Sequence, residues 1–111
     1  MKKKIEVFDF NPKRDWIYSE DAAGAITKSL DSDCMGIYNL ASGKGISVEK
    51  IIKEISKQLG VNYKTLNNKT TGPLNFYCDV NKLKKELNWY SCTGLEEGIS
   101  KTINYIKKSL N

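Results

Sequence analysis

One arginine, Arg14, stands among 18 basic residues, and all the others are lysines. It follows the turn-forming stretch Asp9-Phe10-Asn11-Pro12-Lys13 and opens a short β-prone run. The planar fork of an Arg is the preferred reader of phosphates and base edges, through paired, charge-assisted hydrogen bonds. A surface ion pair with Asp15 or Asp21 is the competing use of the same group. Histidine is absent, which removes the usual proton shuttle near neutral pH and the commonest metal ligand. Cys34, Cys78 and Cys92 lie 44 and 14 residues apart, an odd number without the C-x-x-C spacing of zinc or redox sites. They read as reduced thiols of a cytoplasmic protein. Catalysis by this chain alone would rest on carboxylates, Lys, Ser or Tyr, so the composition favours binding and implies no metal.

Positioning such residues takes elements that the pattern supplies. Ile5-Glu6-Val7-Phe8 alternates as a half-buried strand does. Asp15 to Tyr18 is a second β-prone run, and Ser19-Glu20-Asp21 offers a cap and two acids to a helix ending near Leu30 that would bury Ala22, Ala23, Ile26 and Leu30. Gly36 to Ala41 reads as a strand, ended by the flexible Ser42-Gly43-Lys44-Gly45. Ser47 then caps the clearest helix, with Val48, Ile51, Ile52, Ile55 and Leu59 on one face and Gly60 as its stop. Val61 to Leu66 and Phe76 to Cys78 are further strands, with a polar loop between them. Asp79 caps a short helix over Val80 to Leu87, and Thr93-Gly94-Leu95-Glu96 looks like the capping box of a last helix striped by Leu95, Ile99, Ile103, Ile106 and Leu110. The tally is four or five short strands and four helices, an α/β fold with α+β as the other option.

The chain of 111 residues fits one small domain, and 40% hydrophobic with 28% charged residues excludes disorder. No apolar run approaches the roughly 20 residues of a membrane helix, and the charged start Met1-Lys2-Lys3-Lys4 lacks an apolar stretch behind it, so neither anchor nor signal peptide is expected. The formal charge of +5 is carried almost wholly by Lys. Arg is the better reader of phosphates and base edges, so this charge reads as a solvated surface rather than a nucleic-acid footprint.

The order of elements resembles the C-terminal part of the extended short-chain dehydrogenase/reductase family, the NAD-dependent nucleotide-sugar epimerases and dehydratases. Arg14-Asp15-Trp16-Ile17-Tyr18-Ser19-Glu20-Asp21 is similar to that family's Arg-Asp-aromatic-Ile/Val-Tyr/His-Val-x-Asp stretch. Gly36-Ile37-Tyr38-Asn39-Leu40-Ala41 resembles its Tyr-Asn-Ile-Gly strand, and Ile46-Ser47-Val48 the start of the next helix. Asp79 to Trp89 matches Asp-x-x-Lys...Glu-Leu-Gly/Asn-Trp, and Leu95-Glu96-Glu97-Gly98-Ile99 matches Leu-x-x-Gly-Ile. By this resemblance Arg14 contacts the phosphates of the nucleotide sugar and Trp16 lies near the nucleoside, with core packing the other use of that indole. The family's second phosphate Arg falls, by ungapped counting, on Lys69, which keeps the charge but loses the fork; Gly72 stands where the family has Asp. An ordinary solvated loop is the other reading of Lys69.

The family also needs a Gly-rich strand-to-helix turn for its NAD(P) and a Tyr-x-x-x-Lys pair for proton transfer. Neither occurs: none of the six Tyr has a Lys four residues on. Residues 1–111 therefore read as a single C-terminal, substrate-binding-like domain with no catalytic residues and no cofactor of its own. It would bind a nucleoside-diphosphate sugar weakly through Arg14, Trp16 and Lys69. The Ser42 to Gly45 turn could also cradle a phosphate on its backbone. Uncovered strand edges would be met by a homodimer, a rearrangement or a separate Rossmann-domain chain. The alternatives are the substrate half of a split two-chain enzyme and a small basic nucleic-acid-binding module.

Overall fold

The computed structural model describes residues 3–69 and 71–111. Strand β1 (Lys4–Val7) pairs in parallel with β4 (Asn62–Thr65), Lys4 opposite Asn62 and Val7 opposite Thr65. Alternation turns Ile5 and Val7 inward on this ladder, and the Phe10 ring meets Tyr63 edge-on at 5.8 Å. Strand β2 (Lys13–Asp15) pairs antiparallel with β3 (Gly45–Ser47), Arg14 opposite Ile46. Helix α1 (Ser19–Leu30) lies between those two strands in sequence, and α2 (Val48–Leu59) follows β3 directly. Helices α3 (Asn81–Leu87) and α4 (Leu95–Ser109) complete a mixed α/β fold.

Helix α2 is bounded as its sequence dictates. Ser47 Oγ accepts from the Lys50 N–H at 3.1 Å, and Gly60 closes the helix in the left-handed region at φ 67°. Its two leading N–H groups are taken by the turn before β2: Val48 donates to the Pro12 carbonyl at 2.9 Å and Glu49 to that of Phe10 at 3.2 Å. The turn carrying Arg14 is thereby fastened to a helix start.

The core is small. Its buried apolar residues are Ala25, Ala41, Ile51, Val80, Leu83 and Leu87, with α1 packed on α3 and α2 on α4. The radius of gyration is 16.4 Å, against about 13 Å for a compact domain near 100 residues. The accessible surface of 8317 Å² exceeds by about a third the ~6,200 Å² expected of a compact monomer of this mass.

Several expectations are corrected. The α1 stripe is not buried: Ala25 is covered, whereas Ile26 is 57% and Leu30 80% exposed, because no element among the described residues lies over that face. Gly36 to Ala41 belongs to no ladder; Met35 and Ile37 project at 84% and 88% exposure. Phe76 to Cys78 forms no strand, and the contact there is a single bridge between Lys13 and Asn75. The second strand lies at Lys13–Asp15 rather than Asp15 to Tyr18, since its partner β3 is formed by Gly45, the end of the stretch read as a flexible turn, with Ile46 and Ser47, read as the approach to α2. Thr93 does not cap α4: Gly94 is the N-cap, without a side-chain bond.

Candidate functional site

Strand β2 is held on both edges. On one side it pairs with β3; on the other the Lys13 N–H donates to the Leu74 carbonyl at 2.8 Å and the Phe76 N–H to that of Lys13 at 3.0 Å. Arg14 therefore sits mid-way across a three-segment platform. Its Nη1 donates to the Lys13 carbonyl at 2.9 Å and reaches the Leu74 carbonyl at 3.5 Å. A guanidinium has five N–H donors, and Nε and Nη2 of Arg14 have no partner among the described residues. Neither Asp15 nor Asp21 pairs with it, so the ion-pair alternative does not hold.

Trp16 is 41% exposed, which rules out plain core packing. Its Nε1–H donates to the Ile46 carbonyl at 3.1 Å, and Ile46 is the ladder partner of Arg14. Indole and guanidinium thus share one stretch of β3 and β2. Lys69 is exposed and lines a hollow of about 180 Å³ with Asp9, Asn11, Pro12, Gly72 and Leu74. Arg14 borders the same loop through the Leu74 carbonyl. A second, wider depression of about 870 Å³ runs along α4, past Glu96 and Lys101, and includes none of Arg14, Trp16 and Lys69.

Two carboxylates missed as site residues organise the surroundings. Asp15 Oδ1 accepts from Ser42 N at 2.8 Å and Ser42 Oγ at 2.6 Å; Oδ2 accepts from Gly43 N at 2.9 Å and Cys78 N at 3.3 Å. Burial alone would raise its pKa, but the donors from Ser42, Cys78 and Gly43 outweigh it and hold the carboxyl below its ordinary value. The backbone nest expected to cradle a phosphate is thus filled by an internal anion. Gly43 accommodates this at φ +83°, where an added Cβ would also strike Val80 Cγ2 at 2.9 Å.

Asp21 lies in the first turn of α1, but its carboxylate serves the approach to α4. Oδ2 accepts from Thr93 N at 3.0 Å and Ser91 Oγ at 3.2 Å, and Oδ1 from Thr93 Oγ1 at 2.9 Å and Cys92 Sγ at 3.5 Å. Its pKa too is pushed up by burial and pulled further down by these bonds, to a net lowering. The adjacency of Asp15 to Arg14 was the only sequence signal for the first of these roles.

A protein family described as GDP-mannose 4,6 dehydratase matches residues 1–102. The chain belongs to the NAD-dependent epimerase/dehydratase family. Within it, UDP-glucuronate 4-epimerase of Thermodesulfobacterium geofontis is 33% identical over 97% of this chain and 35% of its own length. UDP-glucose 4-epimerase of Pasteurella multocida is 33% identical over 94% and 32%. Among solved structures, UDP-glucose 4-epimerase of Bifidobacterium longum, in complex with NAD+ and UDP, is 26% identical with a TM-score of 0.82 over 98% of this chain and 36% of that one. The Thermotoga maritima UDP-glucose 4-epimerase with UDP-glucose has the same fold, with a TM-score of 0.83 at 24% identity over 98% and 36%. The chain spans about a third of the length of these family members.

No described helix is long and apolar enough to cross a membrane, and no described cluster of His, Cys, Asp and Glu could hold a metal ion. The described residues also fit a nicotinamide cofactor poorly. The Ser42–Lys44 turn spends its N–H groups on Asp15 and on Ser42 Oγ, and the start of α2 is closed by Ser47, Phe10 and Pro12.

Proposed function

We propose that this chain is the substrate side of a sugar-nucleotide epimerase or dehydratase: it holds the nucleoside diphosphate, while the nicotinamide cofactor and the proton-transfer groups reside on another body. The observation that carries this reading is the guanidinium of Arg14, with Nε and Nη2 unspent and an exposed, hydrogen-bonded indole beside it. Arg14 would grip the diphosphate through that free edge, Trp16 would pack near the nucleoside, and Lys69 would add a point charge from the adjoining loop. None of the three moves a proton. The neighbouring hollow, about 180 Å³, is smaller than the roughly 300 Å³ at which ligand pockets begin. Half a cleft binds weakly, and catalysis by this chain alone is not expected.

The second body would cover Ile26, Leu30, Met35 and Ile37 and pair with the open backbone of Gly36 to Ala41. The surplus of accessible surface supports this, as does a chain spanning a third of its relatives. A Rossmann-type portion, in the same polypeptide or as a separate cytoplasmic subunit, is the cover this reading requires; a homodimer would shield the same face. Titration of the 111-residue chain with UDP, followed by NMR, tests the reading: shifts at Arg14 and Trp16 with millimolar UDP are expected. Absence of such shifts, together with salt-sensitive binding to DNA or RNA, would favour a nucleic-acid module.

A further inference from the structure

We propose that Asp15 is the positioning residue of this site, aiming Arg14 and Trp16 without touching the ligand. As a role within nucleotide binding, the proposal rests on the reading above. Alternation along β2 puts the Asp15 side chain on the face opposite Arg14. From there its two oxygens fasten both segments that hold the binding pair. Oδ1 and Oδ2 take Ser42 and Gly43, which lead into β3 and so fix the Ile46 carbonyl that receives the Trp16 indole. Oδ2 also takes Cys78, just beyond the 74–76 segment, whose Leu74 carbonyl is held by the Lys13 N–H at 2.8 Å and reached by Arg14. One carboxylate thereby ties to β2, from the face opposite Arg14, the two segments whose carbonyls orient guanidinium and indole.

The chemistry of the four donors makes Asp15 hard to replace. Three are backbone N–H groups, at least one facing each oxygen, and a backbone N–H cannot turn to accept. Asp15→Asn must therefore place an amide N–H against a backbone N–H in either flip. Asp21 differs: only its Oδ2 faces a backbone donor, while Oδ1 faces a hydroxyl and a thiol that can rotate. Asp21→Asn is accordingly a matched control, removing a hydrogen-bonded carboxylate whose partners are Ser91, Cys92 and Thr93 rather than β3.

The sequence makes the readout clean, because the chain has one Arg and two Trp. The Arg14 Nε–H gives a single signal, and the Trp89 indole is an internal reference for that of Trp16. In the full chain, Asp15→Asn is expected to speed exchange of the Trp16 Nε1–H at least tenfold, shift the Arg14 Nε–H and weaken UDP about tenfold. Asp21→Asn should leave all three unchanged. Unaltered Trp16 and Arg14 signals in Asp15→Asn would overturn the proposal. Should that variant lose its dispersed spectrum, Ser42→Ala keeps the backbone donors of 42 and 43 while removing the hydroxyl that donates to Asp15 at 2.6 Å and accepts from the Lys44 N–H at 3.2 Å, and should move the same two signals less far; no movement would again overturn it. If UDP shifts nothing in the wild-type chain while Asp15→Asn still frees Trp16, the nucleotide reading falls and the positioning of the pair stands.

Discussion

Replacing Arg14 separates a diphosphate grip from a general basic surface. Its Nη1 is committed to two backbone carbonyls, which leaves the edge made by Nε and Nη2 for the ligand. Two charge-assisted bonds from that edge, each worth about 1.5 kcal/mol at the lower end appropriate to a half-buried group, sum to roughly 3 kcal/mol. With about 1.4 kcal/mol per decade, Arg14→Ala should weaken UDP roughly a hundredfold. Arg14→Lys keeps the charge, loses the fork and forfeits one bond, about a tenfold effect. For a half-cleft with a Kd near 1 mM, on the order of 4 kcal/mol of binding, the Ala variant would lie beyond titration and the Lys variant within it. Ligand-observed NMR with UDP and with uridine is the assay. Uridine has no phosphate, so it should bind all three proteins no better than UDP binds Arg14→Ala. Loss of the dispersed protein spectrum in Arg14→Ala would place Arg14 in the fold rather than on the diphosphate, and unchanged UDP binding in that variant would refute the grip altogether.

Thermal unfolding should rank the two aspartates: Asp15→Asn about 2–3 kcal/mol less stable, for its unswivelling donors, and Asp21→Asn about 1 kcal/mol, readable as Tm losses near 10–20 °C and 4–8 °C. Both carboxyls have folded pKa values below their unfolded ones, so their stabilisation is complete above about pH 4 and disappears as pH falls through the lowered folded values; each Asn variant should show a flatter acid limb in denaturation against pH. Gly43→Ala meets both a positive φ and Val80 at 2.9 Å, and a loss above 1 kcal/mol is expected by chemical denaturation. Leu30→Glu with Ile37→Glu alters two residues at least 80% exposed; the Tm should stay within about 2 °C while any self-association seen by sedimentation disappears, and an unchanged association would place the contact elsewhere.

Residues with local signals were legible from sequence. Ser47 and Gly60 bound α2 because a hydroxyl cap and a left-handed glycine act within a few positions of themselves. Leu83 and Leu87 are buried one turn apart as their spacing requires. What escaped depends on partners remote in sequence. Gly45–Ser47 becomes a strand only because β2 arrives beside it, and Asp21 turns from its own helix to residues 91–93. The stripe Ile26–Leu30 has the spacing of an amphipathic helix, but nothing among the described residues faces it, so the expected burial fails. At the site, Arg14 stands out as a candidate by being the sole Arg, whereas the Asp15 nest joins positions 15, 42, 43 and 78 and leaves no periodic trace.

Both ladders join strands with a helix or more of chain between them: β1 waits for β4 across most of the first 65 residues, and β2 waits for β3 across α1. With no hairpin to zip from a turn, each ladder requires a large loop to close first, and loop closure costs entropy before any pairing rewards it. Helix α2, self-capped and adjacent to both β3 and β4, is the natural nucleus, and the strands are recruited to it afterwards. Pairing of the two ladders is accordingly the slow, topology-limited part of folding these residues.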